Sequence, residues 1–253
     1  MPDLLPYRTI GDGPPLLLIH GAAEDADMLD PQATAFADSG RRVAWYDRRG
    51  TGAAPRAGWP AGGVAQHADD AAAIVRALGG TAQVMGFSSG GVLAMALADR
   101  HPDLDVDVIA WEPAAIAALE GGLVIHGDIM KPIEAHLEKH PDDWTGAYAV
   151  MLEIISGGQA DMASAAVAAQ LVNAEGAVRD DARIITRHEF AAGSIPSARV
   201  RLARGGGVSD LHAGVIERLT AGHDLTTVVV DAALDHEVYL LDPEVLAAVD
   251  WSR

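Results

Sequence analysis

Gly86-Phe87-Ser88-Ser89-Gly90 is the stretch of this chain whose residue types and spacing point most directly to chemistry. It lies between the apolar run TAQVM (81–85) and the helix-like VLAMALADRH (92–101). A serine hydroxyl can attack a carbonyl when it is held out at the tip of a sharp strand-to-helix turn. Glycines two before and two after it let neighbouring backbones approach that turn. The helix that follows aims its first amides at charge developing on the attacked oxygen. Ser88 is therefore the candidate nucleophile, and Ser89 would lend its backbone N–H. The competing reading is a purely structural turn. The strand before and the helix after favour the nucleophile.

Such a serine needs a base, and the base needs an anion. Among ten histidines, His236 sits in a loop after the last strand signal. His101, His136, His140 and His188 read as surface residues of helices or helix ends. His20 reads as a brace in its own turn, and His126, His212 and His223 have no partner motif. For the anion, two carboxylates compete. Glu112 ends the apolar strand DVIAWEP, where a carboxylate is costly unless paired. Asp210 closes GGGVSD (205–210) and reads locally as an acid loop, but Ser209 or Asp210 equally suits a cap for the helix LHAGVIERL. Glu112 is preferred and Asp210 is held in reserve. Glu112 could instead be a hinge pinning the segment that follows it.

These residues need a frame. PPLLLIHG (14–21) reads as a buried strand and turn, and DMLDPQATAFADSG (27–40) as a helix closed by Gly40. RRVAWYD (41–47), TAQVMG (81–86) and LDVDVIAWEP (104–113) read as further strands, with helices over 62–80 and 91–102 between them. Alternation of this kind implies a mostly parallel sheet with helices on both faces. Residues 114–195 break the pattern, with helix candidates at 128–140, 142–156, 160–174 and 177–191. Alternation returns with SARVRLAR (197–204), a helix near 210–221, DLTTVVVD (224–231) and a last helix over 242–251. The expected organisation is an α/β core of residues 1–112 and 197–253, with a helical cap inserted at 113–196.

With those elements in place the chain resembles the α/β-hydrolase fold superfamily over most of residues 14–112 and 197–253. LLLIHG looks like that family's oxyanion strand and turn. The resemblance implies an oxyanion hole built from Ala22 and Ser89, with Gly21 in the same turn. YDRRGTGAAP (46–55) resembles the D-x-R-G-x-G turn, read here as structural through Arg49, Gly50 and Gly52. DHEVYLLDPE (235–244) looks like the histidine loop, with His236 seven residues before Pro243 and Asp235 where a glycine is usual. Anchored on ERL (217–219), the resemblance places the usual acid at Val208, two residues before Asp210. Some members instead carry the acid in an E-P setting like that of Glu112. The family begins with two more strands than this sequence shows, so its first hairpin is expected to be shortened or partly missing.

Bulk composition narrows the partners. The chain has 253 residues, 49% of them hydrophobic, enough for one large α/β domain. A formal charge of −18 disfavours nucleic acid and anionic membrane. No apolar run reaches the length of about 18 residues that a spanning helix needs, and MPDLLPYRTIGDG does not read as a signal peptide. Cysteine is absent, so a reducing cytoplasm is the simplest home. No metal-ligand spacing or nucleotide loop is recognised. The expectation is a serine hydrolase, monomeric or homodimeric, needing no cofactor. It would cleave a carboxylic ester or lactone of a small, largely apolar substrate. Other chemistries of the same triad (C–C bond hydrolysis, perhydrolysis, a lyase) and a non-catalytic small-molecule binder stay open, because function resides in the pocket.

Overall fold

The computed structural model describes residues 4–158 and 160–252. Among them, β1 (Arg8–Ile10), β2 (Pro15–Ile19), β3 (Arg42–Trp45), β4 (Thr81–Phe87), β5 (Asp105–Trp111), β6 (Val200–Gly205) and β7 (Thr226–Val230) form one sheet. Its order is β1-β3-β2-β4-β5-β6-β7. Every neighbouring pair is parallel except β1 with β3. This is the mostly parallel, helix-flanked sheet that the sequence implied. Among the described residues, one three-residue strand, β1, precedes β2, and it pairs with β3 rather than forming a hairpin.

The central strands are apolar runs because both faces are covered. On one face, α2 (Gly63–Ala77), α3 (Ser89–Arg100) and α8 (Asp210–His223) pack Ile74, Leu93, Leu97 and Val215 against Leu17, Val84 and Val108. On the other, α1 (Ala26–Asp38) brings Leu29 and Phe36 to Leu16, Met85 and Ile109. The terminal helix expected over 242–251 is the shorter α10 (Pro243–Ala247), and a separate one-turn helix, α9 (Val238–Leu241), precedes it. Pro243 has no N–H to continue a helix and drives the residue before it out of the helical region. Asp242 duly sits at φ −145°, ψ 73°. Trp251 lies beyond the helices and is buried.

Between β5 and β6 the chain is helical: α4 (Gly122–Lys139), α5 (Trp144–Ile155), α6 (Ala165–Leu171), α7 (Ala174–Gly176) and a π-helical stretch over Ala177–Ile185. These helices share their own core of Met130, Ile133, Tyr148, Met151, Val167 and Val178. The segment is also tied to the sheet domain by buried polar groups. Arg48 bonds both carboxylate oxygens of Asp181 at 3.0 and 3.2 Å. Asp180 Oδ2 lies 2.6 Å from His67 Nε2 and accepts the Trp59 indole N–H at 2.8 Å. The looser π winding brings consecutive aspartates into the interior, where unpaired charge would be costly.

Candidate active site

Phe87 and Trp111 are register partners at the ends of β4 and β5. The residues that follow them, Ser88 and Glu112, therefore leave the sheet side by side on strands about 4.8 Å apart. Both take left-handed backbone angles, φ 53° at Ser88 and φ 37° at Glu112. A non-glycine residue held this way costs on the order of 1–3 kcal/mol. Two bonds fix the turn: Ser88 N–H donates to Trp111 O at 3.0 Å, and Ala114 N–H donates to Ser88 O at 3.1 Å. The glycines around Ser88 are demanded by space. A Cβ at Gly86 would lie 2.2 Å from Gly90 O, and one at Gly90 would lie 2.3 Å from Ile19 O. Ser88 is half-buried and starts α3, whose first residue is Ser89.

The candidate acid and base meet. His236 Nδ1 lies 2.7 Å from Glu112 Oε2, with Glu112 1% exposed and the His236 side chain 31% exposed. The second oxygen, Oε1, accepts the Gly205 N–H at 2.9 Å. Burial alone would push the Glu112 carboxyl up. The bonds from His236 and Gly205 outweigh it and hold the group below the usual carboxylate range. An ionised Glu112 requires the proton on His236 Nδ1, which leaves a lone pair on Nε2. Trp111 holds the base from behind by donating its indole N–H to His236 O at 3.0 Å. Trp111 thus binds the backbones of both Ser88 and His236. Asp210, by contrast, is the exposed first residue of α8. Ser209 caps that helix, accepting the His212 N–H. The structure pairs His236 with Glu112, not with Asp210.

The oxyanion turn follows β2. Ala22 is half-buried there and Ser89 is fully buried. Gly21 lies in the same turn, and its N–H donates to Glu24 Oε2 at 2.8 Å, so it is committed inside the turn. Glu24 also accepts the Tyr239 hydroxyl at 2.6 Å, and Tyr239 stacks on Phe87 at 4.0 Å. Burial raises the Glu24 carboxyl to about 7, more than those two hydrogen bonds lower it. His20 is fully buried, with Nδ1 2.8 Å from Gly21 O, and burial followed by the Arg48 charge pushes its pKa well down. It stays neutral and braces the turn. Arg49 pairs with buried Asp70 at 2.6 and 2.9 Å, in keeping with a structural role. Its neighbour Arg48 reaches the turn itself, donating to Gly21 O at 2.8 Å. The sequence reading missed Arg48 and Glu24: Arg48 is the unspecified second position of the D-x-R-G-x-G turn, and Glu24 lies outside any spaced motif.

The helical segment touches both loops of the site. Asn173 Nδ2 donates to Asp25 Oδ2 at 2.8 Å, beside the oxyanion turn. Gln170 Nε2 donates to Glu237 Oε1 at 2.8 Å, next to His236. A further residue lies at the base. His212 stacks on His236, with ring centroids 4.4 Å apart and planes 16° from parallel. Glu112, His212 and His236 offer ligand atoms within 4.8 Å of one another, a grouping that could hold a metal ion. Imidazole lone pairs lie in the ring plane, so two nearly parallel stacked rings converge on one ion only if one of them turns.

A family profile described as the alpha/beta hydrolase fold matches residues 14–104. Uncharacterized hydrolase YraK of Bacillus subtilis is 34% identical over 134 residues, covering 52% of this chain and 47% of that protein. The matched stretch thus spans less than half the length of that relative. A carboxylesterase structure from the thaumarchaeon Nitrososphaera gargenis superposes with a TM-score of 0.70 at 18% identity, covering 97% of this chain and 93% of that one. Est816, described as an N-acyl homoserine lactone degrading enzyme, superposes with a TM-score of 0.69 at 20% identity, covering 96% and 94%. This chain has the α/β-hydrolase fold, and over residues 14–104 it matches the alpha/beta hydrolase family profile. Among the described residues, no helix is long and apolar enough to cross a membrane.

Proposed function

We propose that this chain is a serine hydrolase that cleaves a carboxylic ester or lactone of a small, largely apolar substrate through an acyl-enzyme. The observation that carries the reading is the 2.7 Å Glu112–His236 pair beside a serine forced to φ 53° on the adjacent strand end. Ser88 Oγ attacks the carbonyl carbon while His236 Nε2 takes its proton. Glu112 steadies the imidazolium through Nδ1–H. The N–H groups of Ala22 and Ser89 receive the oxyanion. Collapse breaks the C–O bond, and His236 returns the proton to the leaving alkoxide. Water, deprotonated by the same Nε2, then attacks the acyl carbon and releases the acid and Ser88. No step calls for a cofactor.

Residues 113–196 act as a cap in this reading. Their contacts from Asn173 to Asp25 and from Gln170 to Glu237 set them over the two loops of the site. The exposed apolar side chains Leu234 and Leu241 flank His236 in sequence, and Val172 lies two residues from Gln170. An apolar substrate suits such an approach. The lack of cysteine fits a reducing, cytoplasmic setting.

Labelling with a fluorophosphonate tests the nucleophile. Wild type should be labelled stoichiometrically and Ser88→Ala not at all. Labelling that survives in Ser88→Ala, or a wild type that never reacts, would remove Ser88 from the role and leave a binding protein as the better reading. A panel of aryl esters and lactones then sorts the chemistry. Turnover of neither class by a labelled enzyme would shift the reading to another reaction of the same triad.

A further inference from the structure

We propose that His212 is a positioning residue for the base, a ring that lies flat against His236 and holds its Nε2 on the reaction path. The inference rests on the reading of His236 as base. The His236 ring is anchored at one edge by Glu112, and its backbone by Trp111. Around those anchors much of its loop faces solvent, with Asp231, Ala232, Leu234 and Asp235 exposed. A ring fixed only at Nδ1 can still tilt, and a displacement of about 1 Å at the proton-transferring atom costs up to about a hundredfold in rate. His212 closes off that tilt by covering one face, 4.4 Å away and nearly parallel.

The chain builds this contact deliberately close. A Cβ at Gly205, Gly206 or Gly207 would lie 2.3 Å from Ala233 O, 2.7 Å from Asp231 O or 2.0 Å from Leu234 O. The run GGG therefore lets the loop after β6 press its backbone onto the histidine loop. That contact brings the first turn of α8 alongside His236. His212 Nδ1 is then held 3.0 Å from Ser209 Oγ, which fixes the ring's own orientation. The charged and titratable groups facing His212 are His236 from the loop after β7 and Glu112 from the end of β5. Burial, then the proximity of His236, pushes His212 down to about 3, against the opposite pull of Glu112. His212 thus presents an uncharged π face to His236 as the latter becomes an imidazolium, an attractive arrangement where a second cation would repel.

Two variants separate this role from a merely structural one. His212→Asn keeps a polar side chain for Ser209 but removes the stacked ring. His212→Phe keeps a ring and removes the bond to Ser209. If the stack positions the base, kcat on an aryl ester should fall roughly tenfold in the Asn variant and stay within about twofold in the Phe variant, the scale of an aromatic pair, with KM unchanged in both. The downfield proton NMR resonance of the His236 Nδ1–H should broaden or vanish with Asn and persist with Phe. The reverse order, with Phe impaired and Asn intact, would show that His212 serves only its helix cap. Equal activity and an unchanged resonance in both variants would also overturn the proposal. Wild type is assayed alongside by fluorophosphonate labelling. An unreactive wild type overturns the hydrolase reading instead, while the NMR comparison still decides whether His212 holds the ring. Thermal unfolding of each variant shows whether any loss reflects misfolding.

Discussion

Glu24 gives the most quantitative consequence of this architecture. It is 2% exposed, it receives hydrogen bonds from Gly21 N–H and Tyr239 O–H, and its carboxyl is raised from 4.5 to about 7. The folded state therefore holds its proton more tightly than the unfolded chain. Stability from this group is fully present below pH 4.5 and is lost as pH rises through 7. The interval between 4.5 and about 7, at about 1.4 kcal/mol per pH unit, comes to about 3 kcal/mol. Glu24→Gln removes the ionisation and keeps the shape. Its carbonyl can accept from Gly21, and its amide can donate to the Tyr239 oxygen. Urea unfolding of both proteins across pH 5 to 9 isolates the term, because every other titrating group cancels in the difference. The variant should gain on wild type as pH rises, most steeply between 5 and 7, levelling about 3 kcal/mol above its low-pH offset. In thermal scans at pH 9 the gain corresponds to roughly 6 °C for a chain this long. A difference that stays flat with pH, or a wild type that gains on the variant in alkali, would refute the argument that burial governs this carboxyl.

Three further outcomes follow from the same geometry. Glu112→Gln should lower kcat about 10³–10⁴-fold with little change in KM, while Asp210→Asn leaves both within about twofold; ester hydrolysis kinetics decide, and the opposite pattern would return the acid to the loop after β6. Asp181→Ala strands the buried Arg48 guanidinium, 1% exposed beside the oxyanion turn, and should cost about 3–5 kcal/mol in urea unfolding. Gly90→Ala places a Cβ 2.3 Å from Ile19 O, a backbone atom that cannot yield without moving β2, so the variant should lose at least about 2 kcal/mol by the same assay.

The fold was legible wherever a short apolar run ended in glycine or proline. The strands at Pro15–Ile19, Thr81–Phe87 and Asp105–Trp111 all announced themselves that way. Ser88 was legible because the steric demand for Gly86 and Gly90 is local. The pairing of Glu112 with His236 was legible only as a preference over Asp210, from the cost of an unpaired carboxylate at a strand end, since the two residues are 124 apart and only the register of β4 and β5 brings Glu112 beside Ser88. The engagement of the Gly21 N–H was hidden for a related reason. Spacing shows that an N–H lies in the oxyanion turn, but not that Glu24, three residues on, already occupies it. His212 had no motif at all. Its signal was the glycine run at 205–207, which reads as a loop until one asks which backbone needs to come so near.

In the proposed triad, placing the acid at the end of β5 has a structural consequence that the alternative would not. Glu112 is fully buried between Gly205 N–H and His236, and it leaves the sheet beside Ser88. Orientation of the base is then set by the same two strands that set the nucleophile, so a movement of one carries the other with it. The loop after β6 is released from supplying a carboxylate. It can afford three successive glycines and a close backbone approach to the histidine loop, and the side chain it sends to the site is a neutral imidazole rather than a second anion. Had Asp210 supplied the charge, a carboxylate would have to occupy the ground now held by His212, and Glu112 would be a buried anion competing with it for one Nδ1–H. Two carboxylates sharing that proton would raise each other's pKa and weaken the grip on the imidazolium. One buried acid and one neutral stacking ring avoid that conflict.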